Sequence, residues 1–97
     1  MTTYFVSRHP GCVEWARLQG VQVDAWLPHL DLCQVQPGDT VIGTLPVHLV
    51  AEVCRRQAAY VHFSVDLPCH MRGVELDASQ LQLLGATLRR FEVQPVS

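Results

Sequence analysis

The sequence of 97 residues contains no lysine, and its seven basic residues are all arginine. Only 16% of the residues are charged, and the formal net charge is −2. A domain that binds nucleic acid without sequence preference usually has a pI above 9, whereas the pI here is about 6.2. The charge argues against general DNA or RNA binding. It still permits a small anionic ligand, because a guanidinium suits phosphate, although a GC-rich genome would also favour arginine over lysine.

Long apolar runs are missing as well. No run approaches the roughly 18 residues that predict a membrane span, and the first residues lack the basic and apolar pattern of a secretory signal. We therefore expect a cytoplasmic protein that does not bind membranes. Residues 1–97 suit a single domain, and association would add burial because a chain this short buries only about 60–65% of its unfolded surface.

The cysteines lack the spacing of a metal or redox motif. There is no C-x-x-C, and the four cysteines fall within apolar stretches: Cys12, Cys33, Cys54 and Cys69. Cys69 and His70 are adjacent, but no recognisable set of zinc ligands surrounds them. We expect buried structural thiols, with no metal and no cofactor.

The apolar patterning predicts the order β-α-β-β-α-β-α-β. The predicted strands are 3–6, 21–27, 40–45, 59–67 and 87–96, and the predicted helices are 11–19, 46–57 and 78–84, the last capped by Asp77. Trp15 and Leu18 are expected to share the buried stripe of the first helix, and Pro95 favours an edge position for the last strand. This order predicts a small three-layer α/β domain with a mostly parallel five-stranded sheet.

Three polar side chains follow the first predicted strand, directly before a Pro-Gly that opens a helix. They are Ser7, Arg8 and His9. Anionic ligands bind at such corners in α/β sheets, where helix N–H groups converge. We predict that Arg8 clamps a phosphate, Ser7 donates a hydrogen bond and His9 transfers a proton. The alternative is that Ser7 and His9 only cap the helix.

A second corner follows the third strand. In Gly43-Thr44-Leu45-Pro46, Gly43 would let a ligand approach the backbone and Thr44 would bind a phosphate or ribose oxygen. A plain helix cap with proline in the first turn explains the same residues.

Polar residues also accompany the fourth strand. Asp66, at its end, is a candidate ligand for a ribose hydroxyl, whereas His62 is expected to face solvent or an interface. Arg72 follows in a loop, where it would contact a phosphate or be solvated.

The first corner also resembles the strand-Arg-His-Gly motif of histidine phosphatases. In this sequence Pro10 separates His9 from the glycine, and the chain is much too short for that fold. We therefore regard this resemblance as superficial.

A broader resemblance covers nearly the whole chain in order. Segment 4–11 with Trp15, together with segments 37–46, 62–68 and 72–76, resembles the small CRISPR-associated Csx-sixteen family, which accompanies type III systems. The resemblance implies a Rossmann-like (CARF-like) fold and a homodimer that binds cyclic tetra-adenylate. It further implies a ring nuclease that linearises this messenger and switches off the immune signal. A non-catalytic protein that sequesters cyclic oligoadenylate is the alternative, and a small α/β adaptor without a nucleotide ligand is a third.

Overall fold

A computed structural model describes residues 1–66, 73 and 75–96 of the chain. Five strands form one sheet: β1 (Thr3–Val6), β2 (Ala25–Leu27), β3 (Thr40–Gly43), β4 (Ala59–Ser64) and β5 (Thr87–Phe91). Three α-helices occur in this part of the chain: α1 (Pro10–Leu18), α2 (Val47–Arg55) and α3 (Ala78–Leu83). A short 3-10 helix, Leu32–Gln34, precedes β3. The predicted order of strands and helices is confirmed.

The strands lie in the order β2-β1-β3-β4-β5. The first four are parallel, and β5 runs antiparallel to β4, so the prediction of a mostly parallel sheet with the last strand at an edge is confirmed. The chain leaves β1 toward β2 on one side, and β3 returns on the other side. In doubly wound sheets, ligands bind beyond the carboxyl ends of the strands at such a change of direction, here between β1 and β3.

Helices cover both faces of the sheet. Phe5 and Phe63 pack with Trp15 of α1 and Leu81 of α3 on one face. Val41 and Tyr60 pack with Val50 and Val53 of α2 on the other. Because successive residues of a strand point to opposite faces, the short central strands supply both cores. The result is a small α/β domain with the helices in two layers around the sheet.

Every strand except β1 is shorter than predicted. Val21 donates its backbone N–H to the carbonyl of Ala16 in α1. The segment predicted to begin β2 therefore belongs to the turn that ends α1. The N–H of Leu45 donates to the Tyr60 side chain of β4 rather than to the backbone of a neighbouring strand, so β3 ends at Gly43. A strand continues only while its backbone groups have a pairing partner. β5 therefore ends at Phe91, which lies opposite Tyr60 near the start of β4.

The helix predictions hold more closely, although the buried stripe predicted for α1 contains an error. Asp77 caps α3 through a reciprocal capping box with Gln80, as predicted for the cap. Trp15 is buried, but Leu18 is 71% exposed, so the predicted stripe of α1 is wrong at Leu18. Gly11 and Ala16 are buried instead.

The prediction of buried thiols is only partly correct. Cys12 and Cys54 are half-buried, whereas Cys33 is exposed in the 3-10 helix. Cys69 lies outside the described residues. No helix in the described part of the chain has the length and apolar character needed to cross a membrane.

Candidate functional site

A cleft of about 410 Å³ opens beyond the carboxyl ends of β1 and β3, at the change of direction in the sheet. Its walls combine both predicted corners with the segment before α3. The lining residues are Phe5, Val6, Ser7, His9, Cys12, Gly43, Thr44, Phe63, Val65, Gly73, Glu75, Leu76 and Leu81. The volume lies within the range of small-molecule sites. Ser7, His9, Gly43 and Thr44, which are far apart in sequence, thus meet in one cavity.

Ser7 and His9 form a turn at the end of β1 rather than a helix cap. The Ser7 hydroxyl oxygen accepts the N–H of His9 at 3.1 Å. His9 is the N-cap residue of α1, yet its side chain makes no capping hydrogen bond. An N-cap side chain normally accepts an N–H from the second or third helical residue. Both residues line the cleft, and neither side chain is used to cap the helix.

The His9 ring is held by a carboxylate from the other wall of the cleft. His9 Nδ1 lies 3.1 Å from Glu75 Oε1. An ionised carboxylate can only accept a hydrogen bond, so Nδ1 carries the proton in this pair. That leaves Nε2 free to accept a proton or to donate one when the ring is charged. The pair is two-thirds exposed, so its role is orientation of the ring rather than stability.

Gly11 explains how Glu75 comes so close to His9. A Cβ on Gly11 would overlap the backbone carbonyl of Leu76. The absence of a side chain lets the segment before α3 pack directly on the first turn of α1. Glu75, the neighbour of Leu76, is thereby placed beside the N-cap residue. Glu75 lies in segment 72–76, one of the segments that resemble the CRISPR-associated family, but no pattern in the sequence connected it to His9.

Cys12 adds a thiol to the same wall. Burial raises the pKa of Cys12, with a hydrogen bond from Ser7 acting in the opposite direction and the charge of Glu75 raising it further. The thiol is therefore protonated at neutral pH, and a thiolate nucleophile is disfavoured. Cys12 contributes an apolar surface and a weak hydrogen-bonding group to the cleft.

Arg8 points to a different side of the corner. Its guanidinium lies 3.1 Å from Nδ1 of His29, in the loop after β2. Arginine cannot accept a hydrogen bond, so Nδ1 of His29 is the acceptor. Arg8 is exposed and is not among the residues that line the cleft. Its predicted role as a phosphate clamp therefore requires the guanidinium to turn away from His29.

A buried hydroxyl organises the second corner. Tyr60 Oη donates to the carbonyl of Gly43 at 2.9 Å and accepts the N–H of Leu45 at 3.0 Å. Pro46 is the N-cap residue of α2 and makes no side-chain cap, so Thr44 is not used as a cap. Thr44 is exposed and lines the cleft, whereas Leu45 and Pro46 do not line it. The Tyr60 hydroxyl therefore holds the backbone of this corner in place through its hydrogen bonds to Gly43 and Leu45.

Gly43 brings the two corners together. A Cβ on Gly43 would lie 2.9 Å from the Val6 carbonyl oxygen, closer than packed atoms tolerate. Gly43 pairs with Val6 on one side and with His62 on the other. The missing side chain thus allows β1 and β3 to end in close contact, where Ser7 and Thr44 begin.

The remaining predicted residues lie elsewhere. Asp66 is exposed beyond the end of β4, its backbone N–H donates to Leu84, and it does not line the cleft. Arg72 lies outside the described residues. Among the residues that the structure describes, no group of three or more His, Cys, Asp or Glu side chains is arranged to hold a metal ion.

A family model covers residues 4–94 of the chain, and its description is "Putative CRISPR-associated protein (Cas_VVA1548)". The chain belongs to this family. The match includes both corners, the strand that carries Tyr60 and the segment that carries Glu75. No curated protein and no solved structure gives a significant match. Membership in this CRISPR-associated family therefore identifies the biological setting and leaves the chemistry of the cleft to be argued from its residues.

Proposed function

We propose that the protein is a ring nuclease of type III CRISPR immunity that binds cyclic oligoadenylate, in the first instance cyclic tetra-adenylate, and linearises it without a metal ion. The observation that carries this proposal is the meeting of Ser7, His9 and Thr44 in one cleft at the change of direction of the sheet. Membership in a CRISPR-associated family supplies the setting. The Rossmann-like (CARF-like) assignment of the fold belongs to the same proposal.

The protein forms no covalent bond to the substrate in this reaction, because the attacking group belongs to the substrate itself. The 2′-hydroxyl of a ribose attacks the adjacent phosphorus, the bond from phosphorus to O5′ breaks, and the products are a 2′,3′-cyclic phosphate and a 5′-hydroxyl. His9 Nε2 takes the proton of the attacking hydroxyl, a water molecule protonates the leaving O5′, and the charged His9 ring then returns its proton to the resulting hydroxide. Holding O2′, phosphorus and O5′ in line accounts for much of the rate in such reactions.

Neighbouring groups stabilise the charge that develops on the phosphoryl oxygens. Ser7 and Thr44 present hydroxyl donors from the two corners, and Arg8 supplies a positive charge after leaving His29. Donors fixed in advance around a developing negative charge are typically the largest contribution to such catalysis. Glu75 keeps Nδ1 of His9 protonated and so leaves Nε2 as the working nitrogen.

We further propose that two copies of the chain act together. The cleft of about 410 Å³ is near the lower end of the range for small-ligand sites, and a ring of four nucleotides exceeds it. A two-fold dimer presents the same surface twice, which matches the approximate symmetry of the ring.

Sequestration of the messenger without cleavage is the second candidate. One observation favours it: the only arginine at the first corner donates to His29 rather than into the cleft. Among the residues that the structure describes, no arginine lines the cleft, and a cleft of that kind is better suited to holding a ligand than to stabilising a transition state. Tight binding with no turnover would establish this alternative. A protein that binds no cyclic oligoadenylate would instead be an adaptor.

The deciding experiment incubates the purified protein with labelled cyclic tetra-adenylate in EDTA and follows the products. We expect linear products ending in a 2′,3′-cyclic phosphate. Cleavage that requires added divalent metal, or no cleavage at all, contradicts the mechanism. Rings of other sizes in the same assay establish the substrate range, and sedimentation with and without ligand tests the dimer.

Two substitutions test the assignment of the site. His9→Ala and Arg8→Ala should each lower turnover by about a hundredfold or more, in the range typical for a lost proton-transfer group or a lost charge. Arg17→Ala is the matched control, because Arg17 is an exposed arginine of α1 that stacks on Trp26 outside the cleft. Near-native rates for both His9→Ala and Arg8→Ala contradict the site, even when the activity itself is present.

A further inference from the structure

A second surface of the domain combines an open groove with a cation and an aromatic ring. Groove residues near the amino ends of β3 and β4 enclose about 760 Å³, and Phe91 of β5 forms part of the wall. Phe91 is 42% exposed. None of Phe91, Arg89 and His62 lines the cleft of the proposed function, so this surface is a separate one.

The pairing of β4 with β5 sets three side chains next to one another. His62 lies opposite Arg89, and Tyr60 lies opposite Phe91. Directly opposed residues in an antiparallel pair point to the same face. The His62 and Phe91 rings pack edge to face with centroids 5.8 Å apart, and the Arg89 guanidinium lies 5.8 Å from the Phe91 ring. The two cation-forming groups therefore flank one aromatic ring.

The hydrogen bonds of the Tyr60 hydroxyl determine which ring nitrogen of His62 is free to bind a ligand. Tyr60 has one hydroxyl hydrogen, which it must give to the Gly43 carbonyl because that oxygen cannot donate. His62 Nδ1 lies 2.8 Å from the same hydroxyl, so Nδ1 carries a hydrogen and donates. His62 Nε2 is then the free ring nitrogen, an acceptor in the neutral ring and a donor in the charged ring.

Arg89 has no acidic partner in the described part of the chain, where the ion pairs join His9 to Glu75 and Arg55 to Glu52. It is exposed on the edge strand. The groove that Phe91 borders includes two carboxylates, Asp39 and Glu92, and one guanidinium, Arg90. The charges inside the groove are therefore mixed, whereas Arg89 lies outside its lining. An anion is consequently favoured at Arg89, and a neutral aromatic group suits the groove wall beside Phe91.

We propose that this surface binds a nucleotide, with the base against Phe91 in the groove and the phosphate on Arg89 and His62. An exposed aromatic ring next to an arginine accepts a base by stacking without demanding its identity, and a guanidinium binds phosphate through paired N–H donors. The ligand class is a nucleoside monophosphate group, either as a free nucleotide or as the end of a short oligonucleotide.

The test follows NMR signals of the Phe91 ring, the Arg89 guanidinium and the His62 ring during titration with adenosine monophosphate. Adenosine and inorganic phosphate are titrated separately. We expect the nucleotide to bind at least about tenfold more tightly than either part, because it makes both the stacking and the charged contacts. A linear oligoadenylate with a terminal phosphate distinguishes the two sources: tighter binding of it than of the free nucleotide identifies an oligonucleotide end, and both results support the site.

Matched variants distinguish nucleotide binding at this site from a general effect of positive charge. Arg89→Gln should weaken nucleotide binding about tenfold or more, and Phe91→Leu should remove the advantage of the nucleotide over phosphate. Arg17→Gln also removes one arginine from an aromatic ring, on α1, and should leave binding unchanged. Both changes on β5 are at exposed positions, and circular dichroism verifies folding. No shift at Phe91 and Arg89 with millimolar nucleotide, or equal losses in Arg89→Gln and Arg17→Gln, overturns the proposal.

Discussion

His9 and Glu75 are 66 residues apart in sequence, yet His9 Nδ1 and Glu75 Oε1 lie 3.1 Å apart across the mouth of the cleft. This contact fixes the tautomer of the ring and leaves Nε2 free. It also joins the first helix to the segment before the third.

Replacing Glu75 tests whether this contact orients the imidazole. In Glu75→Gln the side chain keeps its length and loses its charge, so a neutral amide no longer demands a proton on Nδ1. We expect NMR of the His9 ring nitrogens to show a mixture of tautomers. Under the proposed function, we also expect kcat to fall about tenfold with little change in KM.

Glu14→Gln is the control for the Glu75 variant, since Glu14 is an exposed acid on α1. It should leave the His9 signals and the rate unchanged. An unaltered tautomer in Glu75→Gln would contradict the orienting role, whatever the activity.

A methyl group at Gly11 tests the close approach of the third helix. Its Cβ would overlap the Leu76 carbonyl, so Gly11→Ala must displace the backbone of segment 75–77 from α1. We expect the free energy of unfolding, measured in urea, to fall by about 1–3 kcal/mol, the usual cost of overpacking. The His9 ring should show the same loss of its fixed tautomer as in Glu75→Gln. Native stability together with an intact contact would rule out this explanation of the site.

The Tyr60 hydroxyl is predicted to hold the second corner. Burial raises the pKa of Tyr60, so the hydroxyl remains a donor throughout the neutral range. Tyr60→Phe leaves the Gly43 carbonyl and the Leu45 N–H without that partner, which should cost about 1–3 kcal/mol of unfolding free energy. Hydrogen exchange at Leu45 should accelerate.

Tyr4→Phe provides the comparison for Tyr60→Phe. The Tyr4 hydroxyl makes one exposed bond of 3.4 Å to the Gln34 carbonyl, and its loss should change the unfolding free energy by less than about 0.5 kcal/mol. Equal effects of the two substitutions would show that the corner does not depend on the buried hydroxyl.

Asp39 is predicted to make the stability of the fold depend on acid pH. Backbone N–H groups of Gln36 and Thr2 donate to its two carboxylate oxygens and lower its pKa from 3.8. A lowered native pKa stabilises the fold above the unfolded value, and this stabilisation is lost as the pH falls through the native value. We expect Asp39→Asn to be less stable than the original protein at neutral pH, with a smaller difference near pH 3. Urea unfolding at the two pH values measures this, and a difference that does not depend on pH would contradict it.

Much of the fold was predictable because local rules determined it. The alternation in residues 59–67 predicted β4, and Asp77 as a capping residue predicted the start of α3. The apolar pattern wrongly predicted that Leu18 is buried, because Leu18 lines an open groove between α1 and α3. The start of β2 and the ends of β3, β4 and β5 were also predicted wrongly, because the length of a strand depends on the neighbour that pairs with it.

The candidate site was predictable in part. Gly43 ends a strand, and Ser7, His9 and Thr44 lie just after strand ends; parallel strands bring such ends to one edge of the sheet. Glu75 and Cys12 were missed as site residues, because their position depends on how closely the third helix packs against the first. Arg8 was predicted from its chemistry, but its contact with His29 depends on where the loop after β2 runs.

The sequence by itself determined the class of the domain, the order of its elements and the polar corners after β1 and β3, because periodicity, turn residues and helix caps act over a few neighbours. The tertiary structure alone decided that β1 and β3 lie side by side, that Glu75 holds His9, and that Tyr60 anchors the backbone at Gly43 and Leu45. Those contacts join residues far apart in the chain, and only the packing of helices on both faces of the sheet brings them within hydrogen-bonding distance.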